Sequence, residues 1–214
     1  MKRPAVELVA KPLTPDRWGD LEQLFGPNGA YSNCWCTFQR VTGREFDAGC
    51  ANRGAGNRSL LRALTDEGRR PGLIGYRDGE PVGWISVGPR PEFGRILRSP
   101  IARLRPNELA DASVWSVVCF YIPRQHRRQG LGTALLSAAV EHARKGGARL
   151  VEAYPVDTAG QRVASNMAYT GTVELFRRAG FRRRRPRGLV GGRVGGPAAR
   201  PVMQLGLATT PRRA

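Results

Sequence analysis

The chain has 214 residues, 41 % of them hydrophobic, which is enough for the core of one ordinary domain, and no run approaches the 18 apolar residues of a membrane span. Its formal charge of +18 comes from 35 Lys and Arg against 17 Asp and Glu, and the cations are almost all arginine, the lysines being Lys2, Lys11 and Lys145. Apart from the run RRAGFRRRRPR at 177–187 the charges are scattered, so a solvated basic surface is expected in preference to a nucleic-acid face, and attraction of a small anionic ligand stays open.

The N-terminal stretch MKRPAVELVAKPLTP lacks the long apolar segment of a signal peptide, so a cytoplasmic protein is expected. AVELVAKPL reads as a first strand. TPDRWGDLEQLFG follows as a helix, with Thr14 at the N-cap, Pro15 at the first helical position and Gly26 as the stop. PNGAYSNCWC is a turn-rich link, and NRSLLRALTDEG a second helix with Leu60, Leu61 and Leu64 on one face. GLIGYRDGEPVGWISVGPR is a hairpin whose turn is Asp78-Gly79. PEFGRILRSPIARLRPNELAD reads as an irregular surface excursion. SVWSVVCFYI, apolar and rich in β-branched and aromatic residues, suits a strand buried on both faces.

GTALLSAAVEHARKGG is the best helix, with an apolar stripe through Leu131, Leu135, Ala138, Ala139 and His142 and a Gly146-Gly147 stop. ARLVEAYPV is a strand, and strand–helix–strand implies a parallel crossover. TGTVELFRRAGF is a short amphipathic helix, and FRRRRPR and PVMQLGL form two last strands joined by GLVGGRVGGPAA. The order β, α, α, β, β, β, α, β, α, β, β makes a single α/β domain over 1–214, with its core at about 5–207: a mixed, mostly antiparallel sheet with helices on both faces.

Four cysteines occur, and a chain of this length needs no disulfide staples. Cys34, Cys36 and Cys50 could offer three thiolates, but His126 and His142 lie far along the chain and no familiar zinc spacing completes a fourth ligand, so no metal is expected.

The segment YIPRQHRRQGLGTALL sets two glycines and several cations where the buried strand turns into the long helix. Helix N-termini expose unpaired amides and partial positive charge, glycine admits a phosphate close to the backbone, and arginine adds a fork that matches it. The turn has neither the Gly-Lys-Ser/Thr of a Walker loop nor the dinucleotide Gly-x-Gly-x-x-Gly spacing. Arg127, Gly130 and Gly132 in Arg-x-x-Gly-x-Gly, followed by LFRRAGF at 175–181, resemble the two acyl-CoA motifs of the GCN5-related N-acetyltransferase superfamily. The segments CWC, GNR and PVGW are similar to those of a poorly characterised bacterial subset.

The resemblance implies a splayed central parallel strand pair and acetyl-CoA as acyl donor. It places the pyrophosphate against Arg127, Arg128, Gln129, Gly130, Leu131, Gly132 and Thr133, the pantetheine arm along Phe120, Tyr121 and Ile122, and Phe176 beside the cofactor. It also implies direct attack of a primary amine in a ternary complex, with a central-strand amide at the oxyanion, a base for the amine proton and an acid for the thiolate. The family's tyrosine position is Phe176 here, so Tyr169 is the candidate acid, with simple packing as its other reading; for the base, Ser116, Glu152, Asp157 or a water relay stay open. Tyr31, Trp35, Trp84 and Trp115 are candidates for the acceptor wall, with core packing as the alternative. A monomer or homodimer acting on acetyl-CoA and an amine is expected. The competing readings are a non-catalytic acyl-CoA-binding module and, behind it, a basic nucleic-acid-binding protein.

Overall fold

The hairpin foreseen around Asp78-Gly79 lies near one end of a seven-stranded sheet in a computed structural model that describes residues 7–164, 166–184 and 200–207. The strands are β1 (Val9–Pro12), β2 (Gly72–Arg77), β3 (Glu80–Pro89), β4 (Val114–Tyr121), β5 (Leu150–Ala153), β6 (Arg182–Arg183) and β7 (Met203–Gly206). Their spatial order is β1-β2-β3-β4-β5-β7-β6, and β4–β5 is the parallel pair. The helices are α1 (Trp18–Phe25), α2 (Gly43–Asp66), a single turn α3 (Gly94–Leu97), α4 (Leu131–Lys145) and α5 (Val173–Arg178).

Strand alternation sorts the core into two layers. Leu73, Ile85, Val87, Val117 and Val151 face α4 and α5, where Leu135, Leu136, Ala139, Phe176 and Phe181 complete one cluster. Ile74, Tyr76 and Trp84 point to the opposite face, against Trp18, Leu21, Phe25 and Leu61 of α1 and α2. Beside this second cluster the 90–109 excursion covers β4 and β5 with Phe93, Ile96 and Ala102. Helix α4 comes close to the sheet because Gly75 and Gly83, partners in the β2–β3 register, leave room for Leu135: a Cβ on either would stand 2.8 or 2.9 Å from its methyl carbons.

Some boundaries differ from the sequence expectation. Helix α2 begins at Gly43, well before NRSLLRALTDEG, because Thr42 and Glu45 form a reciprocal capping box. It is broken where Asn52, Arg53 and Gly54 turn left-handed, which hides its period from a pattern search. The last strand expected from FRRRRPR is only two residues long, and the run is not wholly solvated: the buried part of Arg184 reaches the carbonyl of Ala102 and lies 4.0 Å from Glu152. The Gly-rich segment 188–199 lies outside the described residues. Among the described residues no helix is long and apolar enough to cross a membrane.

Candidate active site

Strands β4 and β5 run together from Val114↔Leu150 to Val117↔Ala153 and then part. Strand β4 carries on to Tyr121, with a bulge at Val118 between the Val87↔Val117 and Ser86↔Cys119 pairs. Strand β5 stops at Ala153, and the chain leaves the sheet through Tyr154 to Val156 before returning as Thr172 and α5. The segment ahead of α5 folds back into the gap, where the Phe120 amide donates to the Tyr169 carbonyl at 2.6 Å.

A cleft of about 610 Å3 opens beside this gap. One wall is β4 and its continuation, Cys119 to Ile122, with Arg127; the other includes Tyr31, Cys34, Phe38 and Phe46, and Tyr169 stands between them. Tyr31 and Cys34 of the second wall come from the link that the sequence marks as turn-rich, Phe38 from just beyond it and Phe46 from the first turn of α2. Ala30, Ser32, Asn33, Trp35 and Cys36 all take left-handed φ between 43° and 72°, a conformation that non-glycine residues adopt at a cost and that concentrates at functional sites. Phe38 meets Phe46 edge-on at 5.0 Å and Tyr169 at 6.4 Å.

The Tyr169 hydroxyl accepts from Gln39 Nε2 at 3.2 Å, which leaves its own proton to donate. Burial raises its pKa above the ordinary tyrosine value. Cys36 Sγ lies 3.2 Å from Cys119 Sγ across the floor of the cleft. Hydrogen bonding to the Cys36 thiol, aided by nearby backbone amides, holds Cys34 down to about 6, while Cys36 itself is pushed up by its bonds to Cys119 and Cys34 and by burial.

The strand-to-helix turn sits at the end of β4. Arg128 and Gly130 are left-handed, and Gly130 is the N-cap of α4. The leading amides of α4 lack carbonyls of an earlier turn to bond. A Cβ on Gly132 would meet only Leu175 at 3.9 Å and Ile122 at 4.0 Å, so the space beside the first turn is open. Arg127 is oriented by its Nε donating to the Ile122 carbonyl at 2.8 Å, and Gln129 is held by Arg77 and the Gln125 carbonyl. Leu131 packs in the core, and Thr133 donates its amide to Gly130.

Of the residues singled out from sequence, the structure brings Tyr169, Phe120, Tyr121, Ile122, Arg127 and Tyr31 to the cleft. Phe176 is fully buried, edge-on to Phe120 at 6.0 Å, and so underlies the cleft rather than lining it. Trp35 stacks on Trp18 at 6.0 Å and Trp84 meets Phe25 edge-on, both inside the α1–α2 cluster. Trp115 lies on the other face of the sheet against His142. Ser116 and Glu152 lie under the 90–109 excursion in a closed network. Glu152 accepts from Arg90 at 3.0 Å, Tyr154 at 3.1 Å and Gln204 at 2.6 Å, while Ser116 meets the Tyr154 hydroxyl at 3.4 Å. Asp157 is tied to Arg183 at the surface. Neither Ser116, Glu152 nor Asp157 lines the cleft. Phe38, Gln39 and Phe46 escape the sequence reading; the one hint, for the first two, is that TFQR directly follows the CWC segment.

A family model described as Acetyltransferase (GNAT) family matches residues 43–181, more than half of the chain. No curated protein matches. Solved structures align over nearly the whole chain at low identity. One is a ribosomal-protein-alanine N-acetyltransferase from Brucella melitensis (20 % identity, 93 % of this chain and 99 % of that one, TM-score 0.50). Another is a GCN5-related N-acetyltransferase from Kribbella flavida (19 %, 94 % and 98 %, TM-score 0.50). A third is the PaiA N-acetyltransferase from Thermoplasma acidophilum in complex with coenzyme A (11 %, 94 % and 100 %, TM-score 0.50). At these identities the likeness is one of fold.

Proposed function

Because the chain belongs to the GNAT acetyltransferase family, we propose that it transfers the acetyl group of acetyl-CoA to a primary amine by direct attack within a ternary complex. The observation that carries this reading is the parting of β4 from β5 beside an open helix N-terminus, with the cleft beginning where the strands separate.

The α4 turn supplies what a pyrophosphate needs. The amides of Leu131 and Gly132 head the helix, the Gly132 site is open, and Arg127 is already oriented at the edge of the cleft. The thioester arm then follows the cleft wall of β4 past Ile122 and Tyr121 toward Cys119. There the amine, entering between Tyr31 and Phe46, meets the carbonyl carbon in line. The nitrogen–carbon bond forms, the carbon–sulfur bond breaks, and the nitrogen's proton ends on the departing sulfur. Tyr169 is the hydroxyl in the cleft whose oxygen accepts from Gln39 and so keeps its own proton to donate, and its raised pKa holds that proton in place at neutral pH. Glu152 and Ser116, closed in their own network, serve stability rather than proton transfer.

Calorimetric titration with CoA, followed by thiol release from acetyl-CoA over a panel of amines, tests the reading. Saturable CoA binding with amine-dependent release is expected; absence of CoA binding would overturn it.

A further inference from the structure

We infer that the acceptor of this cleft is a weakly basic amine on an aromatic body, uncharged at neutral pH, rather than a protonated alkylamine; the inference rests on the acetyl-transfer reading above. All 17 aspartates and glutamates of the chain are among the described residues, and none lines the cleft. Glu45 and Asp47, neighbours of Phe46 in the chain, are not in its wall, and Glu45 folds back onto the Thr42 hydroxyl and amide. Both histidines lie elsewhere, His126 in a hollow beside α1 and His142 against Trp115.

The fixed charge that approaches the cleft is positive, and the anionic group on its wall, the Cys34 thiolate held to about 6, already has the Cys36 thiol and nearby backbone amides as its partners. Arg127 is part of the wall. The Arg95 guanidinium carbon sits 4.0 Å from the centre of the Phe38 ring, and that of Arg200 sits 5.2 Å from the centre of the Tyr169 ring. Aromatic faces can hold a substrate ammonium, but on these two rings arginine already takes that role. An incoming ammonium would lose water, gain no carboxylate and find Arg127 on the wall, with Arg95 and Arg200 already stacked on the Phe38 and Tyr169 rings.

The chemistry points the same way. At neutral pH only roughly one alkylamine in 2,500 is unprotonated, from a pKa near 10.4, so such acceptors need a base to strip the ammonium before attack. The cleft offers tyrosines and thiols but no carboxylate or imidazole, and the Cys34 thiolate, held to about 6 and engaged by the Cys36 thiol, is a far weaker base than the alkylamine it would have to deprotonate. An aromatic amine arrives neutral with its lone pair available, and it becomes acidic only after the nitrogen–carbon bond has formed. Its ring suits the Phe38–Phe46 edge-to-face pair, with Tyr31, 57 % exposed, at the mouth.

The experiment compares aniline and 4-phenylaniline with spermidine and free lysine as acceptors at saturating acetyl-CoA, reading thiol release and acetylated product. CoA affinity is measured separately by calorimetry. The aromatic amines should show kcat/KM at least about tenfold above the alkylamines at pH 7. In a Ser32→Asp variant, which places a carboxylate on the wall at a left-handed residue where aspartate is well tolerated, the ratio should move toward the alkylamines. Equal or faster turnover of spermidine or lysine would overturn the inference and leave the acetyl-transfer reading standing. So would CoA binding accompanied by neither turnover nor calorimetric binding of the aromatic amines. Failure to bind CoA at all would overturn both.

Discussion

The Phe120 amide donates to the Tyr169 carbonyl at 2.6 Å, so the segment before α5 takes the hydrogen bond that β5 gives up where the strands part. One contact therefore holds the candidate acid at the cleft and occupies an amide along which the pantetheine arm was expected to pair. Cofactor and Tyr169 backbone compete for the same donor. On adding saturating CoA, hydrogen exchange of the peptide spanning 119–122, which holds the Phe120 amide, should change several-fold while that of 150–153, inside the sheet, stays constant. Identical exchange in both segments with and without CoA would show that the cofactor leaves this bond intact and uses other amides.

Gly132 offers a clean test of the phosphate cradle because the protein itself has room there. A side chain would make only ordinary contacts with Leu175 and Ile122, and the residue is helical rather than left-handed. Gly132→Val should fold normally and bind CoA at least about tenfold more weakly, equivalent to about 1.4 kcal/mol. Unchanged affinity in calorimetry on the folded variant would remove the turn from the cofactor site.

Tyr169→Phe removes one hydroxyl and keeps the ring against Phe38 and Arg200. Turnover should fall by roughly 10²-fold, the range of general acid catalysis, with CoA affinity nearly unchanged. The pH profile carries a sign. Burial raises the Tyr169 pKa, so the acid stays protonated through the ordinary tyrosine value near 10, and an acid-dependent rate should fall only above it. A variant that keeps more than half of the wild-type rate would exclude Tyr169 from the chemistry.

Which parts of this site could be read from sequence follows from how locally each is encoded. The strand-to-helix turn at Arg127 to Gly132 was legible because both motif and geometry span a few residues, and α4 because its stripe through Leu135 and Ala139 has a regular period. The Tyr31–Phe46 wall was not: its link is bent by left-handed residues between Ala30 and Cys36 that carry no periodic signal, and it meets β4 only through tertiary packing. The tryptophans suggested a substrate wall because aromatics are scarce, yet burying Trp35 and Trp84 in the α1–α2 cluster removes more apolar area from water. Glu152 read as a base beside the splay because sequence gives its strand but not Arg90, 62 positions earlier, which occupies it.

Cys34 should be the most reactive thiol of the chain. It lines the cleft, and hydrogen bonding to Cys36 holds it to about 6, whereas Cys36 is buried and raised. Alkylation by iodoacetamide, mapped by peptide mass, should label Cys34 first. Its rate should climb as pH rises through about 6 and level off above, because the thiolate is the reacting form. Bound acetyl-CoA should slow the labelling. A Cys34 rate still rising through pH 8 to 9 would place its thiol at the ordinary value and the hydrogen-bonding account would fail.

The Arg90–Glu152 pair separates stability from chemistry. Their side chains are 2 % and 1 % exposed, and besides Glu152 the guanidinium reaches the Glu108 carbonyl, which pins the 90–109 excursion to β5. Taking charges out of water is costly, and removing one partner leaves the other buried and unpaired. Glu152→Leu should therefore destabilise the fold by about 3–5 kcal/mol in urea unfolding, while the double variant Arg90→Leu/Glu152→Leu, which removes both charges, should recover much of that loss. Glu152→Gln keeps the shape and two of the acceptor contacts and should stay folded at lower temperature. Its kcat per folded molecule should match the wild type, since Glu152 does not line the cleft. A Glu152→Gln protein with full stability and a kcat lowered by 10²-fold or more would return this carboxylate to the proton path, because no structural loss could then account for the rate.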